Sequence, residues 1–325
     1  MISYDGDKNI VVPLASNQGR EIAGIEGIAF SLPLLQHKFN ARQEPAPDLP
    51  SNPYFNPIPI ARERYEESFA VVQRHLLRGD TYLLNLCFPT SVETNLELEH
   101  FFERSHAPYK VMLKGKEFHL DGEDDEYAMV CFSPEAFVRV REGIIATFPM
   151  KGTADADQPG ARETLLADEK ESREHATIVD LMRNDLSMVS TNVRVERYRY
   201  VERLETATGG ILQCSSEIAG DLPEGWRDSL GDLLMRLLPA GSVTGAPKLS
   251  TCRAIHEAEI APRGYYTGIF GYFDGVNLDS AVAIRYLERT HKGLVYKSGG
   301  GITVMSQSKD EYDELVRKVY VPFSL

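Results

Sequence analysis

The sequence predicts an α+β fold, with amphipathic helices packed on largely antiparallel sheets, and three observations carry that expectation. Strand-like apolar runs follow one another closely between residues 82 and 148. Further on, Asp274-Gly275 gives a hairpin signal between two more such runs. Helix-period segments with acidic first turns lie before, between and after them.

Taken in order, residues 1–60 are expected to hold a short strand segment and then an extended connection. Pro45, Pro47, Pro50, Pro53, Pro57 and Pro59 crowd the stretch 40–60, and proline neither continues a helix nor donates to a central strand. Residues 61–325 form the main domain. It opens with a helix over 61–78 that places Tyr65, Phe69, Val72 and Leu76 on one face and stops at Gly79-Asp80. The runs YLLNLCF, YAMVCF, EAFVRV and GIIATF then read as strands. A second helix over 168–189 carries Val179, Met182, Leu186 and Val189 inward and begins with the acidic stretch DEKE. A third covers 249–259. YYTGIFGYF and LDSAVAIRYLE read as two strands joined through DGVN, and a last helix starts at Ser308 with Tyr312, Leu315, Val316 and Val319 inward. No repeat of 20–50 residues is visible.

Composition narrows the function. With 42% apolar and 26% charged residues the 325-residue chain is of globular type. No apolar run approaches the roughly 20 residues of a membrane span, and MISYDGDKN lacks the basic-then-apolar pattern of a leader, so the expected location is the cytoplasm. Cys87, Cys131, Cys214 and Cys252 are scattered without a CxxC pair, which argues against a zinc site or disulfide framework. A net charge of −13 with dispersed basic residues argues against nucleic acid as partner. An anionic ligand then requires a local positive site built from side chains, a metal or helix N-termini.

Several segments have the makings of such a site, and each also has a structural reading. Glu171 and Glu174, and again Glu311 and Glu314, lie at i, i+3 on one helix face, an oxygen-donor arrangement suited to magnesium. Glu311 equally completes a capping box with Ser308. In PAGSVTGAPK, Gly241, Ser242, Thr244 and Gly245 precede a helix start marked by Pro247 and Lys248, which suits an anion or serves as a plain loop. Arg285 falls in the alternating run AVAIRYL, where a buried guanidinium needs a carboxylate from a ligand or from the chain. Gly299, Gly300 and Gly301 head a β-like run, as a tight turn or a close approach to a ligand. Lys151, ending a strand in FPMKGT, is a nucleophile if desolvation lowers its pKa and a solubilising surface residue otherwise.

Seven collinear motifs give these segments a common explanation: PMKGT, EHATIVDLMRNDL, PAGSVTGAPK, RGYYTGIFGY, AIR, GGGI and EYDELVRK. Together, over about 62–320, they resemble the chorismate-utilising enzymes, the family of anthranilate, aminodeoxychorismate, isochorismate and salicylate synthases. The resemblance implies a layered sandwich with helices outside and a chorismate-binding catalytic domain over 61–325. It implies magnesium on Glu174 and Glu314, with Glu171 and Glu311 beside them, meeting the ring carboxylate. Tyr266, Arg285 and the Gly299–Gly301 backbone resemble the residues that hold the enolpyruvyl carboxylate, and Gly152, Thr153 and Thr244 those lining the substrate. Glu135, in CFSPEAFV, matches the acid that protonates the departing C4 hydroxyl. Lys151 resembles the lysine of aminodeoxychorismate synthases, where anthranilate synthases have alanine. Leu83 stands where isochorismate and salicylate synthases keep a general-base lysine, and Gln213 where the family has a histidine. The implied reaction is amination of chorismate at C4 on the way to 4-aminobenzoate, by the component I branch, with ammonia from solution or from a glutamine amidotransferase partner, component II. Amination at C2, as in anthranilate synthase, and a non-catalytic chorismate-binding homologue are the other readings.

Overall fold

The computed structural model describes residues 2–5, 8–11, 21–32, 39–40, 47–118, 125–206, 209–290, 293–321 and 323. A small hairpin pairs β1 (Ile2–Asp5) with β2 (Lys8–Val11). β3 (Glu21–Ser31), β4 (Phe39–Asn40) and β5 (Phe55–Ile58) precede α1 (Arg62–Arg78) and β6 (Leu83–Thr94). After α2 (Leu98–Arg104) come β7 (Tyr109–Phe118), β8 (Asp125–Ser133), β9 (Ala136–Arg141), β10 (Ile144–Thr147) and β11 (Met150–Asp155). Helices α3 (Ala161–Ala167) and α4 (Glu169–Ser187) lead to a long ribbon, β12 (Thr191–Thr206) with β13 (Gly209–Asp221). Then follow α5 (Leu230–Leu237), α6 (Gly241–Thr244), β14 (Gly245–Ala246), α7 (Lys248–Ala258), β15 (Ile269–Phe273), β16 (Leu278–Val282), β17 (Tyr286–Thr290), β18 (Gly293–Ile302) and α8 (Ser308–Arg317).

The helices form where periodicity and caps agree. α1 buries Tyr65, Phe69, Val72 and Leu76, as their spacing predicts, and Gly79 closes it in a left-handed conformation (φ 78°) with its N–H on His75 and Leu76 carbonyls. Asp168 caps α4 by accepting from the Glu171 N–H. At α8 the expected capping box does not form. The helix begins one residue earlier than that motif requires, with Gln307 at the N-cap and no side-chain cap bond, so Glu311 is not committed to Ser308.

Among the described residues all strand pairs are antiparallel, and apart from the β1-β2 hairpin they build two large sheets. One has nine strands in the order β14-β6-β18-β17-β8-β7-β3-β4, with β5 also on β6; the other has seven, β11-β13-β10-β9-β16-β15, with β12 on β13. Alternation along β6 shows how they stack. Leu84, Leu86 and Phe88 point to α1, α7 and α8, while Cys87 points inward to Tyr109, Val111, Tyr266, Phe270 and Tyr286. On the far side α4 and α5 cover the seven-stranded sheet through Val179, Met182, Leu186, Leu233 and Leu237. Each fully buried side chain of this size contributes roughly 1.5–3 kcal/mol. The result is the layered sandwich with helices outside. No helix among the described residues is long and apolar enough to cross a membrane.

Two expectations are corrected here. LDSAVAIRYLE is not one strand: the chain leaves the seven-stranded sheet after Val282 and enters the nine-stranded sheet at Tyr286, with Arg285 at φ 54° in between. The Gly299–Gly301 run is not a turn; it lies within β18, paired residue by residue with Cys87, Leu86 and Asn85. A Cβ on Gly299 would stand 2.5 Å from Cys87 Sγ and 2.8 Å from Asn85 Oδ1, so packing from β6 excludes a side chain there.

Candidate active site

Two direct strand-to-strand crossovers between the sheets lie side by side, and each carries a site residue. Glu135 lies between β8 and β9, and Arg285 between β16 and β17. The crossovers are tied together, Val282 N–H donating to Glu135 O at 3.1 Å and Phe132 N–H to Arg285 O at 3.1 Å. Ser242, from α6, donates its hydroxyl to Glu135 Oε1 at 2.5 Å. Burial raises the Glu135 pKa above its ordinary value, outweighing the opposing influence of Ser242, Arg285 and Lys318. The shift favours the protonated form at the position where the resemblance implies an acid. Arg285 forms no ion pair among the described residues; its Nε donates to Tyr320 Oη at 3.2 Å and its guanidinium lies 5.3 Å from that ring. Tyr266 is buried, rests 5.9 Å from the Tyr286 ring, and burial holds its phenol protonated.

The acidic half of the site comes from α4 and α8. Lys151 occupies β11 where the register with β13 slips between Met150 and Thr153, next to Gly152 at φ 89°. Its Nζ meets Glu174 Oε2 at 2.7 Å. The condition for a free nucleophile, a lysine pKa lowered by desolvation, is not met in this geometry: desolvation lowers it, but Glu174, Glu171 and Glu314 outweigh that and the net direction is up. Lys151 is thus an ammonium in this geometry. From α8, Glu314 Oε1 meets Lys318 Nζ at 2.6 Å, and Lys318 also donates to Gly299 O at 2.9 Å. Burial pushes the Glu314 pKa up, but Lys318, Lys151 and Arg317 bring it below the ordinary range. Gly300 opens onto this group: a Cβ there would stand 3.7 Å from Glu311 Oε2 and 3.8 Å from Glu314 Oε1. A Cβ on Gly152 would likewise stand 3.3 Å from Glu171 Oε2.

The donor chemistry of Glu171, Glu174, Glu311 and Glu314 suits a hard divalent cation, since carboxylate oxygens are its preferred ligands. Among the described residues no group of three or more His, Cys, Asp or Glu side chains is already gathered at ligating distance. Glu174 and Glu314 are instead paired with Lys151 and Lys318.

Three further positions frame the site. Thr244 is buried at the end of α6, two residues from Ser242, and Gly245 after it has φ 120° where a Cβ would strike Leu83 O at 1.9 Å. Thr153 pairs with Gln213 across β11 and β13, and that pairing is the link of half-buried Gln213 to the rest. Sequence reasoning missed two residues. Lys318, at i+4 from Glu314, follows a spacing that signals an ion pair. Ser242 as donor to Glu135, 107 positions away, left no local signal.

Two antiparallel sheets joined by such crossovers define the chorismate-utilising enzyme fold. Anthranilate synthase component I from Streptococcus pneumoniae TIGR4 matches with a TM-score of 0.64 and 30% identity, over 82% of this chain and 59% of that one. The sequence pattern of the chorismate binding enzyme family matches residues 17–324, and the chain belongs to that family. An uncharacterized PabA-like protein of Pasteurella multocida (strain Pm70) is 47% identical over 323 residues, 99% of this chain and 93% of that protein. Aminodeoxychorismate synthase component 1 of Klebsiella aerogenes is 34% identical over 273 residues, 80% of this chain and 57% of that relative.

Proposed function

We propose that this chain is a magnesium-dependent aminodeoxychorismate synthase component I, converting chorismate and ammonia to 4-amino-4-deoxychorismate. The observation that carries the reading is the placement of Lys151 Nζ against Glu174 in a bulged strand, within the charge field of both glutamate-bearing helices. A Glu135 whose pKa burial raises, and an Arg285 without an ion pair among the described residues, support it from the other half of the site.

In this reading Arg285 binds the enolpyruvyl carboxylate, with Tyr266 and the Gly299–Gly301 backbone beside it. Glu174 and Glu314, flanked by Glu171 and Glu311, would hold magnesium, which neutralises the ring carboxylate. Lys151 leaves Glu174 and gives up its proton to solvent, because an ammonium has no lone pair to donate. Its nitrogen bonds to ring C2 as both ring double bonds shift and the C4–O bond breaks, and the protonated Glu135 carboxyl delivers its proton so that water departs. Ammonia then bonds to C4, both double bonds return and the C2–N bond to Lys151 breaks. The proton released from ammonia goes back to Glu135. Gly152, Thr153 and Thr244 line the ring, and Gln213 occupies the remaining polar position without an imidazole's capacity to shuttle protons. Ammonia comes from solution or from a glutamine amidotransferase subunit, component II, and the product leads towards 4-aminobenzoate and folate.

The test is incubation with chorismate and ¹⁵N-ammonium, with and without magnesium, followed by mass and NMR identification of the product. Nitrogen on C4, formed only with magnesium, is expected. Nitrogen on C2, or unconsumed chorismate, defeats the reading.

A further inference from the structure

Between the segments that pair with β14 and β5, strand β6 has no strand neighbour on one side among the described residues. β14 pairs only with Leu83 and Leu84, and β5 only with Ser91 to Thr94. The exposed edge between them offers Asn85 O and Cys87 N–H, and a side-chain pair fills it. Arg263 Nη2 donates to Asn85 O at 2.7 Å, and Glu259 Oε1 accepts from Cys87 N at 2.9 Å. The two side chains are locked together, Nη2 to Oε1 at 2.6 Å and Nε to Oε1 and Oε2 at 3.1 and 3.0 Å. Both are nearly buried, at 16% and 6% exposure. A donor and an acceptor presented side by side match what a paired strand would supply.

The remaining bonds of Arg263 all go to segments that carry site residues. Nη1 donates to Val243 O at 2.7 Å, immediately before Thr244, and to Thr267 Oγ1 at 3.4 Å, immediately after Tyr266. Thr267 in turn is held left-handed at φ 64° with its N–H on Ala283 O at 2.8 Å, two residues before Arg285. Lys297 Nζ grips the Arg263 carbonyl at 2.9 Å from the opposite side.

We infer that the Arg263–Glu259 pair is a positioning device that replaces a missing strand along β6 and sets Thr244, Tyr266 and the Arg285 crossover in register for chorismate. This rests on the assignment of those three residues to the substrate. Neither Arg263 nor Glu259 touches the substrate in that assignment. A planar fork that serves two backbone carbonyls, a threonine hydroxyl and a carboxylate at once cannot be replaced by a point charge, so Arg263→Lys is the discriminating change. Displacements of about 1 Å at a distance are enough to cost on the order of 100-fold.

The experiment is calorimetric titration of chorismate with magnesium chloride into wild type, Arg263→Lys, Glu259→Gln and Arg139→Met. Each is held at the same interval below its own melting temperature. Arg139→Met serves as the structural control, because Arg139 pairs with Asp279 within the seven-stranded sheet. The expected result is a dissociation constant raised about 10- to 100-fold in Arg263→Lys and Glu259→Gln. The control should lose melting temperature with binding unchanged. Wild-type affinity in the two folded variants overturns the inference, as does failure of both to fold, which makes the pair structural only. Binding read as heat does not depend on which ring carbon is aminated. A wild type that binds chorismate but aminates C2 therefore defeats the proposed function and leaves this test standing.

Discussion

Glu135 and Glu314 both lie within the influence of Lys318, yet their carboxyls are driven in opposite directions. At the crossovers, burial dominates and shifts Glu135 towards its protonated form despite Ser242, Arg285 and Lys318. On α8, Lys318, Lys151 and Arg317 dominate and Glu314 stays ionised. Lys151 follows the α8 pattern from the cationic side, with three glutamates overriding its desolvation. The comparison teaches that charge state is decided by how many opposite charges reach a group as well as by how deeply it sits. One half of the site favours a protonated carboxyl, and the other holds paired charge.

The largest expected effect bears on the paired half. Lys151→Ala should lower 4-amino-4-deoxychorismate formation by about 10⁴- to 10⁶-fold, the scale of losing a nucleophile, while chorismate still binds. A wild-type rate by product chromatography would make Lys151 an electrostatic residue only. Next, Glu135→Gln should lower kcat about 10²- to 10⁴-fold, as for a lost general acid. Because the acid must carry its proton, kcat should fall as pH rises through the raised Glu135 pKa, above the ordinary 4.5. That limb should vanish in Glu135→Gln; a limb that persists assigns it to another group. Arg285→Ala should raise the chorismate KM about 10- to 150-fold, from the roughly 1.5–3 kcal/mol of a charge-assisted contact. An unchanged KM with lower thermal stability would make Arg285 a structural residue.

The smallest effects test the sign of the comparison directly, by chemical denaturation in EDTA. A lowered pKa in the folded state adds stability above the unfolded value, and that stability is lost as pH falls through the folded value. Glu314→Gln should therefore destabilise at neutral pH, by no more than about 0.5 kcal/mol for a half-exposed i, i+4 pair, and be neutral well below pH 4.5. A raised folded pKa reverses the sign: stability is lowest above it and recovers as pH falls through it. Glu135→Gln should accordingly be more stable than wild type at pH 8, with the gain fading towards pH 4. Equal pH dependence in the two variants would abolish the distinction between the halves.

Much of the scaffold was legible because its signals are local. The face Tyr65, Phe69, Val72, Leu76 and the stop at Gly79 needed only helical spacing and a left-handed cap. The Asp274-Gly275 hairpin likewise formed, its Asp274 Oδ1 accepting from the Val276 and Asn277 N–H groups. What escaped the sequence depends on partners far along the chain. AVAIRYL alternates like a strand, and only the assignment of its two halves to different sheets breaks it at Arg285. The three glycines read as a turn because their reason, Cys87 and Asn85 on β6, lies more than 200 residues away. The charge on Lys151 was not legible for the same cause, since α4 and α8 supply the carboxylates. The packing decides the states in which the residues of the collinear motifs are held.

Arg285 sits with φ 54° in a region that glycine occupies freely and that side chains resist. A drift to glycine there would relax the backbone by on the order of 1–2 kcal/mol and erase the guanidinium in the same step. In the role proposed for Arg285, selection for thermal robustness alone would favour a chain that folds more readily and no longer grips a carboxylate. An arginine at a position that disfavours it would then mark a trade of ease of folding for ligand capture.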